Sequence, residues 1–331
     1  MKQKMTWPLV ATFILIASLM TGCGNSEGPK PVGELPENSE AMSSESVETE
    51  VPETSTTNVP DRPYPQPPAP PKPPVNLYQL DLEAVQNELA QLNPGYGGQG
   101  QIVQQGPGVI VSVSGAPISN ITPLKKLPIF AMEAAQTPIE DLAPLRNMPM
   151  DQLYLEDTKV WNLEPLRGMP LTKLYLSNTF VKDLGPLKGM GITEMNLLGT
   201  PVGDITALEG MPLNSLWLTG TRVSDVSPLV KSPLVSLTLH KTRVTDIAPL
   251  AEIQTLQRLH IGETPVDDLS AIANMNLTRL VFTPSNIKKG LEAVRNSTSI
   301  RELGLRFEQR GDVMPPQVFW ERYDNGDFSG E

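Results

Sequence analysis

The chain of 331 residues carries 37 acidic and 26 basic residues, a formal net charge of −11, with one cysteine and two histidines. Nucleic-acid affinity depends on Lys and Arg that neutralise phosphates, so this composition argues against a nucleic-acid partner. One thiol excludes an internal disulfide and any multi-thiolate metal site, and two histidines leave little material for a zinc centre. An enzyme of this composition would have to use carboxylates.

The N-terminal segment has the pattern of a secretory signal. Lys2 and Lys4 precede an apolar run over residues 9–20, and the sequence LMTGC then leads into a polar region. The pattern resembles a bacterial lipoprotein signal, although Met20 stands where Leu or Val is usual. The resemblance implies a signal peptide over 1–22, lipidation of Cys23 with several acyl chains such as palmitate, and an anchored mature protein.

Two questions about this anchor stay open at the level of the sequence. An uncleaved membrane anchor is the alternative to lipidation, because residues 5–22 have about the minimum length for a span. Gly24 follows the cysteine, rather than the Asp that marks inner-membrane retention. We therefore expect an outer-membrane location in an organism with two membranes and the outer face of the cell membrane otherwise.

Residues 23–75 are rich in Ser, Thr, Glu and Pro and poor in bulky apolar residues. Such a segment buries too little surface to offset its ordering entropy, so a disordered stalk is predicted. Its last part, 60–74, contains nine prolines in fifteen residues. That composition favours an extended polyproline II spacer, with a ligand for proline-recognising domains as the alternative.

Residues 108–305 contain about ten copies of a 21-residue unit, exemplified by MDQLYLEDTKVWNLEPLRGMP from Met150. The LxxLxL pattern is typical of a leucine-rich repeat, in which one unit cannot fold alone and stacked units share a core. The predicted fold is an α/β solenoid with a parallel β-sheet on the concave face and short helical or 3-10 turns on the convex face. Positions in the repeat are numbered from Met150 as position 1.

Three columns of the repeat have a structural interpretation. Asp at position 13 is expected to cap a short convex helix, Thr at position 9 to bond open backbone groups, and Met at position 20 to fill the core. The columns contain Asp141, Asp183, Asp204, Asp225, Asp246 and Asp268; Thr137, Thr158, Thr179, Thr200, Thr221, Thr242 and Thr264; and Met148, Met169, Met190, Met211 and Met275.

A solenoid needs caps at both ends. The region 76–107 is the expected N-terminal cap, because Leu82, Val85, Leu89 and Leu92 have helical spacing within 81–92. The region 306–331 is the expected C-terminal cap and tail. The runs LNPGYGG at 92–98 and MPPQVFWERYD at 314–324 resemble the caps of leucine-rich repeat domains in planctomycete-type bacterial proteins, a resemblance that concerns architecture and not ligand.

The candidate ligand surface lies on the sheet, where positions 3, 5 and 7 are expected to point away from the core. Aromatic residues concentrate at its middle, an acidic group lies toward the N-terminal end, and a basic group lies toward the C-terminal end. The candidate binding residues are Tyr154, Tyr175, Trp217, Glu156, His240, His260 and Arg258, with Glu133, Asp157, Lys241 and Arg279 beside them.

Several alternatives remain for these residues. The aromatics could serve only to stabilise the sheet through cross-strand pairing. His240 and His260 lie on neighbouring strands and could share a metal, although a third ligand is lacking. Trp161 and Phe180 fall on the descending loops, where they form an exposed apolar patch or fold back onto the edge.

The sequence favours a non-catalytic, membrane-anchored binding module of the cell envelope with a protein partner. Glycan or peptidoglycan binding through the same aromatics, and a structural envelope component, are the alternatives. An enzyme is disfavoured because no carboxylate pair or Ser/His/Asp order suggests general acid and base chemistry. No cofactor, metal or nucleic acid is expected.

Overall fold

The computed structural model describes residues 80–305 and 312–328. The predicted signal peptide, Cys23 and the predicted stalk lie outside the described residues, as does the segment 306–311 within the predicted C-terminal cap. Within the described ranges, every helix is too short or too polar to cross a bilayer.

The N-terminal cap contains helix α1, Leu82–Leu92, which begins where the carboxylate of Asp81 accepts a hydrogen bond from the amide of Ala84 at 2.9 Å. The predicted helix is present, with Val85 and Leu89 buried and Leu92, its last residue, 47% exposed. The helix ends at Leu92, and the next residue, Asn93, is buried in its place.

The side chain of Asn93 ties this helix to the first repeat. Its amide nitrogen donates to the carbonyl oxygens of Leu89 and Asn120 at 2.8 and 2.9 Å, and its oxygen accepts from the amides of Ser119 and Asn120 at 2.9 and 2.8 Å. Backbone groups thus satisfy both polar atoms of this buried side chain, so Asn93 stabilises the cap.

The described strands form one twelve-stranded sheet in sequence order, with parallel pairing from β2 to β11 and antiparallel pairing at both ends. This topology confirms the predicted leucine-rich repeat solenoid. The strands are β1 (Gln101–Gln105), β2 (Gly108–Ser112), β3 (Ile129–Glu133), β4 (Gln152–Tyr154), β5 (Lys173–Tyr175), β6 (Glu194–Asn196), β7 (Ser215–Trp217), β8 (Ser236–Thr238), β9 (Arg258–His260), β10 (Arg279–Val281), β11 (Glu302–Gly304) and β12 (Val313–Met314).

Short 3-10 helices follow most strands on the far side of each coil. They are Thr122–Lys126, Ala143–Leu145, Glu164–Leu166, Gly185–Leu187, Thr206–Leu208, Ser227–Leu229, Ala248–Glu252, Ser270–Asn274 and Pro284–Asn286. Each position-13 carboxylate bonds the amide two residues later, as when Asp204 accepts from Thr206 at 2.8 Å. Each aspartate therefore closes the turn into its helix through the first helical amide, from one residue before the N-cap position, where no side-chain cap bond forms.

The threonine and methionine columns also behave as predicted. Each position-9 hydroxyl is buried and donates to the carbonyl three residues earlier at 2.6 to 2.7 Å, as Thr200 does to Leu197. The methionines of position 20 are at most 7% exposed. A feature that the pattern did not reveal is position 8, where a left-handed backbone recurs at φ between 51° and 71°, from Gln136 to Glu263.

Aromatic packing closes the C-terminal end of the core. Helix α2, Leu291–Arg295, follows β10, and helix α3, Pro316–Asp324, follows β12. Phe319 of α3 is fully buried, with its ring centroid 5.6 Å from that of Phe282 and 5.0 Å from that of Phe328. This aromatic cluster shields the last repeat from water.

Candidate functional site

The sheet presents two classes of side chain in alternation. Positions 4 and 6 are at most 2% exposed from β4 to β9, whereas positions 3 and 5 are partly exposed, as predicted for a sheet with one buried face. Position 7 agrees with the prediction at Leu198, which is 36% exposed, but differs from it at Ser177 and His240, which are buried at 8% and 7% exposure. The strand ends at position 5 and the chain turns at position 8, so these position-7 side chains are enclosed rather than displayed.

Three aromatic side chains at position 5 form a row, here called the aromatic row: Tyr154, Tyr175 and Trp217. The ring centroids of Tyr154 and Tyr175 are 4.9 Å apart, and those of Tyr175 and Trp217 are 6.1 Å apart. The structure thus brings together the three predicted aromatic residues, although β6 places Asn196 between the last two strands in the sheet. Tilted rings at these distances also stabilise the sheet itself.

The two phenol groups have hydrogen-bond partners on the same face. The Tyr154 hydroxyl donates to Gln152 at 3.1 Å, and the Tyr175 hydroxyl donates to Glu194 at 3.0 Å. Burial raises the pKa of Tyr154 to about 12, and the nearby Glu194 carboxylate adds to this effect. The pKa of Tyr175 is raised for the same two reasons, so both rings stay neutral at physiological pH.

Carboxylates gather at the N-terminal side of the aromatic row. Glu156 is partly buried, and its Oε2 atom is buried with no hydrogen-bond partner. Burial raises the pKa of Glu156 to about 7, a backbone hydrogen bond opposes the shift, and the charges of Asp157 and Glu133 reinforce it. Burial, reinforced by the neighbouring acids, therefore makes ionisation of this carboxyl unfavourable.

The C-terminal end of the face is less basic than expected. His240 is buried, its Nδ1 lies 2.9 Å from the carbonyl oxygen of Gly262, and its ring stacks on that of His260 at 4.8 Å. Burial, followed by the proximity of His240, lowers the pKa of His260 to about 3. His260 is therefore neutral at pH 7, so the expectation that it contributes positive charge was wrong.

Lysine and arginine carry the positive charge at this end. Arg258 is partly exposed, and burial together with Arg279 lowers its pKa. Lys241 pairs with Glu263 at 3.4 Å, which offsets its charge. Among the described residues, no group of three or more His, Cys, Asp or Glu side chains is arranged to hold a metal ion, so the two histidines have no third ligand of these types there.

A groove lies along the descending loops at the edge of the first repeats. Trp161 and Phe180 are 56% and 64% exposed. Of the two alternatives for these side chains, the structure therefore favours the exposed apolar patch over folding back onto the edge. The indole of Trp161 donates to Glu140 at 3.2 Å, and the groove beside it, also lined by Pro138 and Pro165, has a volume of about 640 Å³. This groove does not include the aromatic row.

The sheet, the repeating 3-10 helices and the shared core define the chain as a leucine-rich repeat protein. It is similar to an internalin (inlF) from Listeria monocytogenes, with 26% identity and a TM-score of 0.53 over 59% of this chain and 60% of that one. An internalin C2 from the same organism gives 26% identity and a TM-score of 0.51 over 53% of this chain and 80% of that one. The chain thus spans less than two thirds of the first internalin. No protein-family model and no curated protein sequence matches it.

Proposed function

We propose that this chain is a cell-envelope protein, anchored by lipid on Cys23, whose leucine-rich repeat domain binds a protein partner. The aromatic row carries the proposal. It places two tyrosines and a tryptophan side by side, partly exposed, in a chain in which only 5% of residues are aromatic. Tyr and Trp combine a large apolar area with a polar group, and they dominate the binding energy of protein interfaces.

The N-terminal sequence supports the envelope location. A signal-like segment ends at the sole cysteine, and residues 24–75 have the composition of a spacer. Two or more acyl chains provide stable membrane attachment, and a long spacer would hold the repeat domain away from the lipid surface. The location is the outer membrane in a cell with two membranes and the outer face of the cell membrane in a cell with one.

Crosslinking and mass spectrometry on intact cells test both parts of this proposal. The Cys23→Ser variant is expected to lose membrane association, whereas the wild type stays in the membrane fraction. The Tyr175→Ala/Trp217→Ala double variant is expected to lose its crosslinked protein partners. The Trp161→Ala variant, altered on the loop edge, is the matched control and should keep them. Unchanged partners in the double variant would contradict the proposed site.

Glycan or peptidoglycan binding is the second candidate, because aromatic rings at this spacing also stack on sugar faces. Sedimentation of the purified domain with cell-wall material separates the two candidates. Binding to cell wall that disappears in the Tyr175→Ala/Trp217→Ala variant would favour the glycan. A structural envelope component would bind neither a protein partner nor cell-wall material through the aromatic row. Self-association measured by analytical ultracentrifugation would indicate that role.

A further inference from the structure

The acids beside the aromatic row are not compensated by positive charge. Glu133 accepts a hydrogen bond from the Ser112 hydroxyl at 2.9 Å, and Asp157 accepts one from the Asn178 amide at 2.9 Å. Both donors are neutral. Among the described residues, no lysine or arginine lies within ion-pair distance of Glu133, Glu156 or Asp157.

Other acids on the same face do have basic partners. Glu194 pairs with Lys173 on the adjacent strand at 3.1 Å, and Glu302 pairs with Arg279. The acids without a basic partner and the two tyrosines beside them form a region here called the acidic aromatic patch: Glu133, Tyr154, Glu156, Asp157 and Tyr175. Placing three acids there without a base costs stability, which is consistent with a role outside folding.

The charges of this patch lie close enough to its two phenols to raise their pKa values. The Tyr154 phenol feels the charges of Glu133 and Glu156, and the Tyr175 phenol feels Glu156 as well. The Oε2 atom of Glu156 is buried without a hydrogen-bond partner, so this carboxylate is poorly solvated and a positive charge placed nearby would favour its ionised form. A cation placed here would meet carboxylates and the partly exposed rims of the two phenol rings together.

We propose that the acidic aromatic patch binds a basic segment of the protein partner, with a lysine or arginine side chain of that segment seated between Glu156 and the rings of Tyr154 and Tyr175. This inference rests on the proposed function and adds the chemistry of the partner. Charge complementarity favours a basic segment, because a neutral or acidic segment would bury Glu156 without compensating its negative charge. Arginine fits best, since its planar group both stacks on aromatic rings and donates to carboxylates.

Binding of this kind has a defined pH dependence. Glu156 faces Glu133 on β3, the phenols of Tyr154 and Tyr175 on β4 and β5, and the adjacent Asp157. Because its pKa is about 7, Glu156 is mostly neutral at pH 6 and mostly ionised at pH 8. Affinity for a cation should therefore rise severalfold across this range, and the rise should vanish in Glu156→Gln.

Fluorescence anisotropy with two labelled peptides, (Gly-Arg)4 and (Gly-Gln)4, tests the inference on the purified mature chain. The arginine peptide should bind at least about tenfold more tightly than the glutamine peptide at low salt, and added salt should weaken it. The Glu133→Gln/Glu156→Gln variant should lose about tenfold in affinity. The Glu83→Gln/Glu252→Gln variant, which removes the same charge at exposed sites on α1 and a 3-10 helix, is the matched control and should bind like the wild type.

Three outcomes would overturn the inference: equal binding of the two peptides, equal losses in the patch and control variants, or a pH dependence that persists in Glu156→Gln. The proposed function has a separate readout. If the crosslinked partner is lost in Tyr175→Ala/Trp217→Ala but kept in Glu133→Gln/Glu156→Gln, the protein-binding face stands and the basic segment is wrong. If neither variant affects the partner, both proposals fail.

Discussion

The Glu156→Gln substitution should stabilise the folded chain, and more so at alkaline pH. The pKa of Glu156 is about 7 in the fold, against 4.5 for the free side chain. Between these values the folded protein keeps a proton that the unfolded chain has released, so the free energy of unfolding falls as the pH rises through this window. The stability that the folded protein gains from this proton is fully present below pH 4.5 and is lost above pH 7. A shift of this size corresponds to about 3 kcal/mol, which partial exposure of the side chain reduces to about 2 kcal/mol.

Urea unfolding at pH 5 and pH 8, followed by tryptophan fluorescence, measures this contribution. The advantage of Glu156→Gln over the wild type should grow by about 2 kcal/mol from pH 5 to pH 8, because glutamine has the same shape and no charge to bury. Glu252→Gln, at an exposed position, serves as the control and should show no such growth. An advantage for Glu156→Gln that is the same at both pH values would refute the reasoning.

Three further predictions concern other parts of the fold. His260 has a pKa of about 3, so its own contribution to the free energy of unfolding should fall by about 2 kcal/mol between pH 7 and pH 5 as the unfolded chain takes up a proton, opposite in sign to the change at Glu156. The stability of His260→Gln relative to the wild type should therefore rise by about 2 kcal/mol over this range in urea titrations. Thr200→Val removes the 2.7 Å bond from the hydroxyl to Leu197 and should cost about 1 kcal/mol in chemical denaturation, since the Thr200 amide still donates to that carbonyl. Leu174→Ala, at a fully buried site, should cost about 3 kcal/mol in the same assay, and a loss below about 1 kcal/mol would contradict tight stacking of neighbouring coils.

The repeating columns could be interpreted correctly from the sequence because each has one local cause. Asp204 bonds an amide two residues away, and Thr200 bonds a carbonyl three residues away, so spacing within a single repeat contains the whole interaction. The alternation of exposed and buried positions in the strand follows from backbone geometry in the same way. The exposure of Leu92 could not be predicted from its spacing, because Asn93, which bonds the backbone near residue 120, takes the buried place at the end of α1.

The sequence predicted which residues share the candidate face, but it did not predict the charges that they carry. Spacing alone places Tyr154, Tyr175 and Trp217 on one face, and the structure gives the ring distances that make them a row. His260 appeared as a basic residue because a sequence gives no account of burial. The turn after each strand encloses His240, and the stacked ring of His260 lies mostly out of reach of water, so its charge is suppressed.

Leucines that recur every 21 residues determined the leucine-rich repeat architecture, since a coil that cannot bury its apolar side chains alone must stack on copies of itself. Tertiary structure alone decided which charges on the sheet are compensated. Compensation depends on distances between side chains of different coils: Lys173 lies within reach of Glu194, whereas the two charged neighbours that shift the pKa of Glu156 are both acids. That arrangement distinguishes the acidic aromatic patch from the rest of the sheet.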